Sequence, residues 1–332
     1  MPAAEARMRY LAGLVREMDE DLASSSSGGA GGPTVACQAY REAKRLKDPT
    51  LIDPLIELIE QTDSAWYRRL MLRILRFVGA NSGDARAARF MCEWLDVERS
   101  RPVQSELVEA LADQREILDP RPVMKQLRHP DEWTRGKALE ILGRCSGAGV
   151  TRSITAFIRR AEKPAEIAAA LRALETASPR RALALALELM EDLRGRVRVA
   201  ATGVVARLGD RRHLGHMLDA LSERDFQMKQ HAMHGIRRFG DESCIEPVAK
   251  RVKVILARRR PELGFEHDTE LIDAMAFLQR YVALDPDVED LFRYVRRRRW
   301  DHVLGYEKVW LILHLPFFAR AEISAGPNST TG

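Results

Sequence analysis

Apolar residues recur along this chain at three- and four-residue steps over almost its whole length, and no stretch sustains the period-two alternation of a strand. Tyr10, Leu11, Leu14, Val15, Met18 and Leu22 set one apolar stripe on a helix over 1–22. The run SSSSGGAGGP, Ser24 to Pro33, has nothing to bury and predicts a flexible linker over 23–34. From Val35 onward, helices alternate with short breaks that open on Asp or Ser, often with Pro soon after, and several close on Gly. The predicted pairs begin with Leu51 to Glu60 and Trp66 to Val78, the second ended by Gly79. Next come Asp84 to Leu95 with Val103 to Ala112, Arg121 to Leu127 with Glu132 to Leu142, and Val150 to Ala161 with Ala165 to Ala177. Then follow Arg180 to Asp192 with Arg196 to Leu208, Arg211 to Leu221 with Phe226 to Phe239, Ile245 to Arg259 with Glu270 to Val282, and Val288 to Arg298 with Gly305 to Phe317.

A repeat lies inside this alternation. Arg198, Ala201, Val205, Arg207, Gly209 and Asp210 recur 31 residues later as Lys229, Ala232, Ile236, Arg238, Gly240 and Asp241. A helix pair cannot bury its own apolar face, so matched units at a fixed step must stack on one another. Met71, Ala138, Ala170, Ala201 and Ala232 mark one core position, each followed four residues on by Leu75, Leu142, Leu174, Val205 or Ile236. The small side chain lets neighbouring helices approach and the branched one fills the layer between them. The Val103 to Ala112 helix fits this register poorly.

DEWTRGKALEILG (Asp131 to Gly143), RVRVAATGVVARLG (Arg196 to Gly209) and DFQMKQHAMHGIRRFG (Asp225 to Gly240) resemble second helices of HEAT repeats, especially the short bacterial kind also seen in phycobilin lyases. The resemblance covers about residues 35 to 320. It implies an all-α fold, a right-handed α-solenoid of about eight helix pairs, preceded by the tethered helix and linker and followed by a disordered tail over 321–332. Proteins of this kind are mostly protein-binding scaffolds; a minority bind nucleic acid or are enzymes such as bilin lyases and alkyl-base DNA glycosylases. No motif here carries those enzymes' functional residues, and the His-Glu dipeptides through which HEAT-like deoxyhypusine hydroxylases hold iron do not occur.

Composition narrows the classes. The 332 residues are 45% hydrophobic and 30% charged with a net charge of +5, mild enough to permit an acidic partner without demanding one. Cys37, Cys92, Cys145 and Cys244 stand far apart, unlike a zinc ribbon or disulfide framework, and imply reduced thiols. Charges throughout Met1 to Leu22 leave no secretory apolar core, and the run Val309 to Ala319 is broken by His314 and Pro316 at about half a membrane span. A cytoplasmic protein is expected.

Chemistry is harder to find. No P-loop, dinucleotide fingerprint, GxSxG or HExxH is present, so no catalytic residue and no cofactor is assigned. His213 and His216 lie on one helix and His231 and His234 on the next. At 100° per residue, however, His216 lies almost opposite its core stripe with His213 on the flank, and His231 and His234 point away from theirs, so the two pairs face opposite surfaces and give no metal site. In HEAT arrays the second helices line the inner side. Taking Ala201 as the core direction, the register opens Trp66, Arg69, Arg73 and Arg76, then Trp133 and Arg172, then Arg196 and Arg207, then His234, Arg237 and Arg238. Guanidinium forks suit carboxylate or phosphate and tryptophan supplies a rigid anchor. The expected function is thus a non-catalytic scaffold holding an acidic segment of another protein on an arginine-rich concave face poor in acids. A nucleic-acid binder, perhaps with base-repair activity, is the alternative, and a bilin lyase-like protein the second. Arg258 to Arg260 and Arg296 to Arg299 concentrate charge at helix ends, where C-terminal carbonyls attract it. The nearly all-apolar helix from Val309 through Phe318 is a candidate surface for self-association, partner docking or cover by the first helix.

Overall fold

Helices start where a short polar side chain can take the orphan amides of the first turn. Ser64 accepts from the Tyr67 amide, Asp131 from Thr134, Asp225 from Met228 and Thr269 from Ile272. The computed structural model describes residues 2–20, 34–261 and 269–323, and among these no strand occurs. The expected linker lies, for 23–33, outside the described residues, as does the expected tail for 324–332.

The chain divides into two compact units, Met1–Ser178 and Pro179–Gly332. In the first, α1 (Pro2–Asp19) and α2 (Val35–Ala43) precede α3 (Ile52–Gln61) and α4 (Ala65–Ser82), α5 (Ala85–Val97) and α6 (Arg101–Ala112), α7 (Arg121–Gln126) and α8 (Glu132–Gly143), and α9 (Ala148–Arg160) and α10 (Pro164–Ala177). Helices pack within each pair, and the second helices pack in sequence, α4 on α6, α6 on α8 and α8 on α10. The first helix is integral: Leu11, Leu14, Val15 and Met18 are buried, and α1 packs on α2, α3 and α4. Its Tyr10 hydroxyl donates to Glu42 Oε1 at 2.5 Å.

The second unit runs through α11 (Pro179–Leu189), α12 (Gly195–Leu208), α13 (Leu214–Ser222), α14 (Phe226–Phe239), α15 (Ile245–Ile255), α16 (Glu270–Leu278), α17 (Pro286–Arg298), α18 (Gly305–His314) and α19 (Pro316–Ile323). Here α12 packs on α14, α14 on α16 and α16 on α18. The last helix continues to Ile323, past the expected boundary at 320.

The marked core positions are inside. Ala138, Ala170, Ala201 and Ala232 are fully buried, and so are Leu75, Leu142, Leu174, Val205 and Ile236. Several helix ends differ from expectation: α15, α16 and α18 stop at Ile255, Leu278 and His314, short of the expected Arg259, Val282 and Phe317. Gly79 does not close α4, which continues to Ser82 and ends on Gly83 in the left-handed region, φ 70°. Gly79 instead makes room, since a Cβ there would sit 2.6 Å from both the Ala87 Cβ and Gln114 Oε1.

A second recurring device joins neighbouring helices through arginine. Arg144 at the end of α8 donates to the Ala112 and Gln114 carbonyls at 2.8 and 2.9 Å, behind the end of α6. Arg238 in α14 reaches the Ala206 carbonyl at 2.7 Å and that of Arg207 in α12, and Arg280 just after α16 reaches the Arg237 carbonyl in α14. These bonds satisfy carbonyls that a helix C-terminus leaves without an amide.

Candidate functional site

Half of the arginines expected on the open face, Arg69, Arg73, Arg76 and Arg237, pair with acids of their own chain. In the first unit, Glu106 on α6 is only 4% exposed; its carboxylate accepts a hydrogen bond from Arg73 Nε at 2.9 Å and forms a looser ion pair with Arg69 at 3.5 Å. Arg76 pairs with Glu109 at 2.7 Å and with Asp113 at 2.6 Å. These acids belong to the helix whose register the sequence leaves poorly defined, which is why the wall looked poor in acids. Trp66 is half-buried: its indole donates to Asp19 Oδ1 on α1 at 2.7 Å, with the Arg69 guanidinium 5.6 Å from its ring. The same carboxylate takes the Tyr67 hydroxyl at 3.0 Å, so one acid of α1 ties down two aromatics of α4.

Trp133 and Arg172 stand differently. Trp133 is 63% exposed at the start of α8, and Arg172 is exposed on α10 without an ion-pair partner among the described residues. Between α8 and α10 runs a cleft of about 800 Å³ lined by both, together with Gly136, Ala165, Ala169 and Ala173. Small residues shape it. Gly143 lets α10 approach until a Cβ would lie 3.1 Å from the Ala173 Cα, whereas a side chain at Gly136 would meet nothing within 4 Å. Lys137 lies 5.3 Å from the Trp133 ring centre and pairs with Glu140 at 2.9 Å, and Glu166 is held by Arg135 at 2.6 Å. The cleft thus offers an apolar floor, one exposed indole with Lys137 over its ring, and one cation without an ion pair among the described residues. That combination suits a carboxylate next to a hydrophobic side chain.

In the second unit, Arg237 donates to Asp273 Oδ1 at 2.7 Å and His234 lies 3.5 Å from Asp273 Oδ2. Asp273 is buried on α16, and Arg237 also lies over the Trp310 ring of α18 at 5.5 Å. Arg238 is engaged with the carbonyls of α12 described above. Arg196 and Arg207 are exposed. His231, expected to point away from its helix's core stripe, packs against Gly203, where a Cβ would lie 3.2 Å from its Nε2. Burial, then the nearby Arg207 charge, lower its pKa from the ordinary 6.5. Among the described residues no group of three or more His, Cys, Asp or Glu side chains is placed to hold a metal ion.

Sequence reasoning missed Glu106, Glu109 and Asp273, the counter-charges. Asp273 and Glu270 had a visible signal, two acids three residues apart in the otherwise apolar helix TELIDAMAFL. Buried acids of that kind require cationic partners, here Arg237 for Asp273 and Arg251 for Glu270 at 2.5 Å. The stretch expected as one apolar helix from Val309 through Phe318 breaks at Leu315, before Pro316, into α18 and α19, and it is only partly covered: Leu311, Leu315 and Phe318 are buried while Val309 and Leu313 are exposed.

With this geometry in place, comparison with known proteins concerns architecture. No protein-family model matches the chain, and no curated protein does. Among solved structures the chain is similar to Kap95p, a HEAT-repeat protein whose binding induces the switch loops of RanGDP to adopt the GTP-bound conformation. The TM-score is 0.52 at 12% identity over 97% of this chain and 48% of that one, so this chain spans about half the length of its neighbour. The fold is a helical repeat. An engineered protein also aligns, over 96% of this chain and 89% of its own at 13% identity, but its TM-score of 0.46 carries no argument. No helix among the described residues is long and apolar enough to cross a membrane.

Proposed function

We propose that this chain is a non-catalytic protein-binding scaffold that captures an acidic segment of a partner protein on the open side of its second helices. The carrying observation is the α8–α10 cleft, where Trp133 is exposed and Arg172 makes no ion pair among the described residues, in contrast to the self-paired Arg69, Arg73, Arg76 and Arg237. The segment places an apolar side chain against Trp133 and the alanine floor and a carboxylate at Arg172. Part of the expected arginine wall thus becomes internal structure, and recognition concentrates on fewer residues. The likeness to Kap95p, whose structure is of a complex with another protein, supports a scaffold role. The right-handed stack of about eight HEAT-like pairs belongs to the same proposal, as does a cytoplasmic setting, which the free cysteines suit.

The test is affinity capture from lysate of the native cell by the full chain and by the Trp133→Ala/Arg172→Glu variant. A partner retained by the first and lost by the second, at equal melting temperature, is the expected result. Equal recovery by both rejects the cleft as the binding site.

A further inference from the structure

The second unit carries a basic surface that the self-pairing described above does not reach. No acid occurs between Pro247 and Pro261, a stretch holding Lys250, Lys253, Arg258, Arg259 and Arg260 besides the Glu270-paired Arg251, and α17 ends in three consecutive arginines, Arg296 to Arg298, with Arg299 next. The two helix ends come together: His302 Nδ1 lies 2.8 Å from the Leu256 carbonyl oxygen, and Arg260 pairs with Glu307 at 2.5 Å and reaches the His302 carbonyl at 3.4 Å. Capping of C-terminal carbonyls, the ordinary reason for arginine at such ends, accounts for little of it. Arg260 is spent on buried Glu307 and Arg299 on the Tyr294 hydroxyl at 2.6 Å. Arg258, Arg259, Arg296, Arg297 and Arg298 are all exposed, and none makes a side-chain hydrogen bond or ion pair among the described residues. The acids of α17 do little to offset them: Glu289 and Asp290 are taken by Arg293 at 2.6 and 3.0 Å, exposed Asp287 lies in the first turn at the opposite end of the helix, and exposed Asp301 follows the arginine run.

We propose that this surface binds the phosphate backbone of a nucleic acid. Three consecutive arginines point to three sides of a helix end, about 10–12 Å across with its side chains. One carboxylate cannot serve them, whereas a duplex presents a negative charge about every 1.7 Å of its axis. Guanidinium forks match phosphate oxygens two at a time. A peptide groove would add apolar anchors, as the α8–α10 cleft does; here the nearest exposed aromatic, Tyr294, already lies under Arg299 at 5.7 Å.

The test is a gel-shift titration of labelled duplex and single-stranded DNA with the full chain across several salt concentrations. The comparison is a variant with Arg258, Arg259, Arg296, Arg297 and Arg298 each changed to Gln, its fold checked by circular dichroism. Binding by the wild-type chain should weaken with salt at a slope of about 0.9 per phosphate engaged on a duplex. The variant should lose most of its affinity at low salt and flatten that slope by roughly three to four. Trp133→Ala/Arg172→Glu should bind DNA like wild type, which separates this surface from the cleft. No shift at low salt overturns the proposal, as does an unchanged slope in the variant. So does complete displacement of the DNA by polyglutamate at equal charge, or capture by phosphatidylserine vesicles in preference to DNA, because either result assigns the surface to another polyanion.

Discussion

Replacing Glu106 by Gln tests the claim that the arginines of α4 are internal structure. The substitution keeps shape and one acceptor oxygen, removes the charge, and turns an amide N–H₂ toward Arg69 or Arg73. Breaking a fully buried pair from one side costs about 3–5 kcal/mol. The Arg69 and Arg73 side chains, however, keep 29% and 32% of their surface, so water recovers part of that loss. A net cost of about 2 kcal/mol follows. For a domain of this size one kcal/mol moves the melting midpoint by about 2–4 °C, so the transition of the first unit should fall by roughly 4–8 °C, followed by circular dichroism at 222 nm. Because the carboxylate is buried, most of the loss should persist in about 0.5 M salt, where exposed pairs are screened away. A double-mutant cycle with Arg73→Met isolates the pair. A midpoint within 1 °C of wild type, or full additivity in the cycle, would refute the assignment and return Arg69 and Arg73 to the open face.

Two further predictions use titratable groups. Burial of His231 lowers its pKa below the ordinary 6.5 in the folded chain, so the unfolded chain takes up a proton first. The resulting stability is complete above about pH 6.5 and declines as pH falls, with a slope of at most about 1.4 kcal/mol per unit. Urea denaturation at pH 7.5 and 5.5 should show a smaller loss in His231→Gln than in wild type, and equal losses would sink the assignment. Burial likewise raises the Cys92 thiol to about 11 and the Cys244 thiol above its usual range, while Cys37 is exposed. Iodoacetamide at pH 7.5 should therefore modify Cys37 first and leave Cys92 and Cys244 intact until the chain unfolds, as read by peptide mass spectrometry.

How far the sequence disclosed this molecule depended on the range of the interaction involved. Helix positions, caps such as Asp131 and Asp225, and the buried alanines follow from local periodicity and first-turn chemistry, and the structure holds them where the pattern puts them. The candidate face was legible in direction but not in charge state. Whether Arg73 is available depends on Glu106, 33 residues away on a helix that departs from the repeat. Likewise, nothing near Trp66 in the chain announces that Asp19 will hold its indole. Trp133 and Arg172 are exposed, as the repeat register expects, and neither meets such a distant partner among the described residues. Gly79 misled because a glycine that ends a helix and one that admits a neighbouring side chain look alike until Gln114 is in place.

The arginine bonds from Arg144, Arg238 and Arg280 back to preceding carbonyls give these stacks a polarity. Each downstream helix finishes its upstream neighbour, so shortening a unit from its C-terminal side uncaps what remains, whereas trimming from the opposite side takes away only the recipient of such a bond. Fraying should therefore start late in the sequence and travel backward. Any added copy would bring its own fastening for the copy before it, and duplication could lengthen such an array without new invention at each junction.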